Sequence, residues 1–157
     1  MAMFADRFKD FLRTLSGDDA RPSGPGGDDP RVAAAALLYH VSSADGTVSP
    51  QERTRLRAAL AEEFGLDEGE TDLVAAAGRE ADAEAVDLFS FTSVLMNHLD
   101  EDARVRFVEL LWEVTYADGE VHELEDNLIW RISDLLGVST RDRMLMKQRA
   151  ARHSKDS

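Results

Sequence analysis

The chain contains no cysteine. Disulfides, thiolate zinc sites and a cysteine nucleophile are therefore excluded. Long apolar runs are missing as well, since no stretch approaches the roughly 18 consecutive apolar residues of a transmembrane helix. The N-terminus lacks the basic-then-apolar order of a secretory signal, so a cytoplasmic location is the expectation. Positive charge is scarce: 18 Lys and Arg stand against 31 Asp and Glu, a net charge of −13. Such a chain repels phosphate backbones, and nucleic acid is not an expected partner. Its basic clusters are short, Arg53, Arg55 and Arg57 and then Arg141 to Arg152; the first reads as a solvated face. Glycine-rich phosphate loops and nucleophile motifs are also absent. Nowhere does a convincing apolar–polar alternation stand between turn signals, which removes the case for strands.

What is present is a repeat. Ala117-Asp118-Gly119-Glu120-Val121 with Glu125 restates Ala44-Asp45-Gly46-Thr47-Val48 with Glu52, 73 positions apart from Asp45 to Asp118. The match runs backwards, Leu37-Leu38-Tyr39 and Val41 aligning with Leu110-Leu111-Trp112 and Val114. With a one-residue slip it also runs forwards, from Phe64-Gly65-Leu66 to Leu136-Gly137-Val138. At 157 residues and 43% hydrophobic content the chain suffices for one core without staples.

Taken in order, residues 3–15 place Phe4, Phe8, Phe11, Leu12 and Leu15 on one helical stripe. A helix this short needs a surface to lie against. Its own domain, another protein or a membrane surface are the options. Residues 16–29, rich in Gly, Pro and Asp, cannot repay the entropy of ordering and read as a linker. A domain then spans 30–152. Its first helix, Arg31 to Ala44, stops at Gly46. Ser49-Pro50-Gln51-Glu52 is a capped helix start, and that helix ends at Phe64-Gly65. Asp67 with Glu70 opens a helix to about Ala77, and Asp87 opens one with Phe91, Val94, Leu95 and His98 on a face. Asp100-Glu101-Asp102 supplies the acidic first turn of the next. That helix, apolar nearly all round from Val105 to Tyr116, is expected to be central. Residues 121–136 follow, with Leu124, Leu128, Ile129 and Ile132 on one face. Ser139-Thr140-Arg141-Asp142 caps a last helix bearing Met144 and Leu145. The expected fold is all-α: a compact bundle of about seven helices built from two helix-loop-helix pseudo-repeats, with an extra N-terminal amphipathic helix.

The doubled Ala-Asp-Gly-x-Val-x-x-x-Glu motif, the Phe-Gly-Leu and Leu-Gly-Val helix ends, and Leu-Leu-Trp-Glu-Val before the second copy resemble the TerB-like family of tellurite-resistance proteins over residues 31–150. The resemblance implies a compact helical bacterial module without enzymatic activity, with an acidic metal site. It also implies partners at a membrane or in a stress response, placing the protein in the cytoplasm or peripherally at the inner membrane surface.

Asp45 and Asp118 each fall at the end of a helix, where a carboxylate opposes the negative end of the helix dipole. A cation supplies one reason: these carboxylates, with Glu52 and Glu125 and the free carbonyls of helix ends, make an oxygen-rich site suited to calcium or magnesium. Turn architecture supplies another, because Asp satisfies turn amides and Glu52 completes a capping box with Ser49. On this second reading the domain is a purely structural interaction module. An EF-hand is excluded, since glycine follows Asp45 at once where that loop needs alternating ligands. His122-Glu123-Leu124-Glu125-Asp126 lacks the second histidine of a zinc-protease helix. His98 reads as a helix-end histidine held by a hydrogen bond, and His40 finds no partner at ligand spacing. Trp112, Tyr116 and Trp130 read as packing residues.

Overall fold

The computed structural model describes residues 28–156 except 45, 86 and 120, and the backbone alone at Asp118 and residues 154–156. The stripe of residues 3–15 and most of the linker therefore lie outside the described residues. Seven α-helices are described: α1 Pro30–Ser42, α2 Pro50–Phe64, α3 Glu68–Glu84, α4 Phe89–His98, α5 Glu101–Thr115, α6 Glu123–Leu135 and α7 Thr140–Asp156. A single 3₁₀ turn, Tyr116–Asp118, follows α5. Among the described residues there is no strand, and the fold is all-α.

Several helices start where the sequence offers a side-chain oxygen to the first free amides. The Asp29 side chain accepts from the Arg31 backbone N–H at 2.9 Å and opens α1, with Pro30 in its first turn. Asp67 and Glu70 close a reciprocal capping box at α3, at 2.8 and 3.1 Å. Asp100 accepts from the Ala103 N–H at 2.8 Å at the start of α5. Such caps contribute about 1 kcal/mol each.

The most enclosed helix is α1 rather than α5. From Val32 to Val41 every side chain is buried except half-buried His40. The four alanines Ala33–Ala36 make this possible: lacking bulk, they let neighbouring helices approach from several sides at once. α1 packs against α2, α3, α4, α5 and α6. Its closest partner is α3, and the two run in the same direction, Ala35 meeting Gly78 and His40 meeting Asp82. Gly78 does not end α3, which continues to Glu84. It is there because the α1 backbone lies against it.

α5 is the second axis. Phe107, Val108, Leu111 and Trp112 point into the core, and α7 packs along it through Met146 and Ala150. Met144 and Leu145 of this last helix are half-exposed, as is Trp130, while Leu124 is exposed. The Arg143 guanidinium lies over the Trp130 ring, 3.2 Å from its centroid, so that ring is shielded by a cation rather than by the core.

Candidate metal centre

The first Asp-Gly loop leaves α1 at Ser43 and enters α2 through Ser49. Gly46 has φ 110°, and Gly119 in the second loop has φ 92°, conformations that L side chains rarely adopt. Each loop ends on a helix whose third residue is a buried glutamate. The Glu52 Oε1 accepts from the Ser49 N–H at 3.0 Å, and the Ser49 hydroxyl accepts from the Glu52 N–H at 3.0 Å. In the second loop the Glu125 Oε1 accepts from the His122 N–H at 3.1 Å. Glu52 and Glu125 are 3% and 1% exposed.

A capping-box glutamate usually sits at the surface, and nothing in the spacing foretold burial of both. Its consequence is sharpest at Glu52. Oε1 is occupied by the cap, whereas Oε2 is buried with no hydrogen-bond partner among the described residues. A buried carboxylate oxygen in this state is costly unless something supplies positive charge or a proton donor. Of the four acids read from the sequence, Glu52 and Glu125 are the two whose side chains are described, one at each loop. Asp45 and the Asp118 side chain lie outside the described residues. Among the described residues no three His, Asp or Glu side chains gather closely enough to hold a metal ion.

A second charged cluster joins α2, α5 and α7. The Arg106 guanidinium donates to Glu63 at 2.5 Å, Glu109 at 2.8 Å and Glu113 at 3.3 Å. Arg55 reaches Glu113 at 3.0 Å, and Arg149 reaches Glu109 at 3.3 Å. Burial works against the charge on Arg106, but hydrogen bonds to Glu63 and Glu109 and the charges of Glu63 and Glu113 outweigh it. Its pKa is held above the ordinary arginine value. Glu109 is as buried as Glu52 and Glu125, yet two guanidinium groups neutralise it. The cluster was visible in the sequence as Arg106, Glu109 and Glu113, charged residues at helical spacing in an otherwise apolar helix. Arg55 belongs to it rather than to a solvated face, and Arg57 pairs with Asp72.

A further titratable pair is His40 and Asp82, at 2.8 Å between Nδ1 and Oδ1. Forty-two positions separate the two in sequence, so only the α1–α3 packing brings them together. They adjoin a groove of about 310 Å³ lined by His40, Ala85, Asp87, Leu88, Phe89, Leu128, Arg131 and Leu135. The His98 Nδ1 lies 2.8 Å from the Val94 carbonyl one turn back.

These features define an all-helical module with two acidic helix-joining loops. The sequence model of the family described as tellurite resistance protein TerB matches residues 31–148, and the chain belongs to that family. No curated protein and no solved structure matched the chain. Family membership makes it a tellurite-resistance-related helical module of a type not known as an enzyme family. Among the described residues no helix is long and apolar enough to cross a membrane.

Proposed function

We propose that this TerB-family module binds a divalent cation, calcium or magnesium, at its Asp-Gly loops, and acts without catalysing a reaction. Asp45 with Glu52, and Asp118 with Glu125, are the residues that would hold it, and the two loops are equivalent halves of an internal repeat. The partner is a protein or a membrane surface met by the stripe of residues 3–15. The setting is a cytoplasmic stress response such as tellurite resistance, with the module peripheral at the inner membrane surface.

The observation that carries the cation reading is the Glu52 Oε2 atom, buried and without a hydrogen-bond partner among the described residues. The contrast with Glu109 gives it force. Buried Glu109 also has an Oε2 without a hydrogen bond, but Arg106 reaches its Oε1 at 2.8 Å and an Arg149 guanidinium nitrogen lies 3.3 Å from that Oε2. Among the described residues no arginine or lysine pairs with Glu52. A hard divalent ion supplies positive charge to several oxygens at once, which a single arginine does not. Bound to the folded state only, it adds stability of about 2.7 kcal/mol at a hundredfold excess over Kd.

Calorimetric titration of the metal-free full chain with calcium, magnesium, manganese and zinc tests the reading, alongside melting curves in each ion. Binding of calcium or magnesium with a matching rise in Tm is expected. A flat response to all four ions at millimolar concentration would leave the acids as turn and capping devices in a purely structural domain.

A further inference from the structure

We propose that the groove between the α3–α4 connection and α6 is the seat of the chain's own N-terminal stripe, Phe4, Phe8, Phe11, Leu12 and Leu15, which it covers when no partner is engaged. This rests on the stripe being a docking element and is independent of the cation reading.

The groove is walled by Ala85, Leu88, Phe89, Leu128 and Leu135. Phe89 at its rim is 64% exposed, the most exposed large apolar side chain among the described residues. Leu124, itself exposed, continues the wall one turn before Leu128 on the same face of α6. Water-facing phenylalanine and leucine side chains along a concave surface mark a place where something apolar binds. Trp130, also exposed, already carries Arg143.

Length identifies the occupant. From Leu124 to Leu135 the α6 wall runs about 17 Å, and a helix over residues 3–15 runs about 18 Å. The tether also fits. α1 carries the chain from Asp29 to the His40 end, where the groove opens, a distance of roughly 17 Å. A glycine-rich connection of the length of residues 16–29 has a root-mean-square span of about 20 Å as a statistical coil. A stripe so tethered meets the groove at an effective concentration of order millimolar, which a free partner seldom matches.

Charge points the same way. Before Asp28 the chain is balanced, with Arg7, Lys9, Arg13 and Arg21 against Asp6, Asp10, Asp18 and Asp19. The whole net charge of −13 therefore resides on the module that follows. That module repels an anionic membrane. The groove offers Asp87 and Arg131 beside its apolar wall, counter-charges for the mixed flanks of the stripe.

The chain's lack of cysteine permits a direct test. A nitroxide is attached at Asp10→Cys, on the polar side of the stripe, in the full metal-free chain, and amide signals are recorded. Residues 88–91 and 128–135 should lose most of their intensity, and the loss should vanish both in Phe8→Asp with Phe11→Asp and in Phe89→Asp. Phe89 is exposed enough that its replacement leaves the fold intact, which the unchanged remainder of the spectrum verifies. Sharp groove signals, or broadening confined to the α5–α7 face, would overturn the proposal. So would broadening in a mixture of spin-labelled and isotope-labelled chains, which would make the occupant a second copy. Sharp groove signals in a chain that sediments with phosphatidylglycerol vesicles would assign the stripe to a membrane instead.

Discussion

A Cβ added at Gly78 would lie 2.3 Å from the Ala35 Cβ and 2.9 Å from the Ala36 backbone nitrogen. Two helices in such contact leave no room for a methyl group. Gly78→Ala should therefore destabilise the protein. The gain in helix propensity is about 1 kcal/mol, and overpacking against backbone that cannot swing away costs about 1–3 kcal/mol. At a Cβ–Cβ approach of 2.3 Å the upper end of that cost applies, and a net loss of about 2 kcal/mol is expected (roughly 4–8 °C in Tm). Gly69, exposed near the start of α3 with only Asp67 Oδ1 nearby at 3.6 Å, is the control. Gly69→Ala should match or slightly exceed wild type. Equal melting of Gly78→Ala and wild type would contradict the close α1–α3 crossing.

The carboxylate cluster on α5 gives a second expectation. Arg106 binds three glutamates, and without it buried Glu109 keeps only Arg149 at 3.3 Å. Arg106→Met should cost about 2 kcal/mol, below the 3–5 of a fully buried pair because Arg106 is partly exposed. Arg149→Met, at a more exposed site, should cost under about 1 kcal/mol. The raised pKa of Arg106 sets the sign with pH. Its contribution is complete below the unfolded arginine value and is lost only on passing upward through the higher folded value. Urea titrations from neutral to moderately alkaline pH should thus show the same Arg106→Met deficit throughout. A deficit that shrinks across that range would place the stabilisation elsewhere.

Much of this architecture was legible in the sequence because local chemistry carried it. Ser49-Pro50 with Glu52, Asp67 with Glu70, and Gly65 announce helix ends through side chains and glycine placed within a few residues of one another. What escaped depends on the packing of distant segments. Gly78 reads as a helix stop until Ala35 is seen against it. The alanines of α1 look too slight for a central helix, although small size is what allows five neighbours to surround it. His40 and Asp82 meet only because α1 and α3 run side by side. Leu124 has the spacing of a core residue and lies instead beyond the edge of the core, where periodicity alone does not distinguish a buried wall from an open one. Of the candidate site, spacing identified the four acids; the burial of Glu52 and Glu125 needed the fold.

Glu52 itself can be tested without disturbing its cap. Glu52→Gln keeps an Oε1 acceptor for the Ser49 N–H and removes the buried charge. Without metal it should fold with stability within about 1 kcal/mol of wild type, or above it. Glu52→Ala loses the capping-box bond and should cost about 1 kcal/mol. In calcium the wild type should gain stability while Glu52→Gln gains less or nothing. A calcium response of Glu52→Gln equal to that of wild type would remove Glu52 from the cation reading.

The two aspartates complete the test, and Asp118→Asn separates charge from turn geometry. Asp118 closes the 3₁₀ turn after α5 and precedes Gly119, at the negative end of a helix. Asparagine there keeps the size and the turn-forming amide oxygen while removing a charge the helix dipole disfavours by about 0.3–1 kcal/mol. Without metal, Asp118→Asn and Asp45→Asn should therefore melt at or slightly above the wild-type temperature. With calcium or magnesium the order should reverse, because only a folded state with affinity for the ion is stabilised by it. Calorimetry should show the wild-type binding heat lost or much reduced in Asp118→Asn. If instead both variants lose stability without metal while wild type ignores the ions, the aspartates are turn devices.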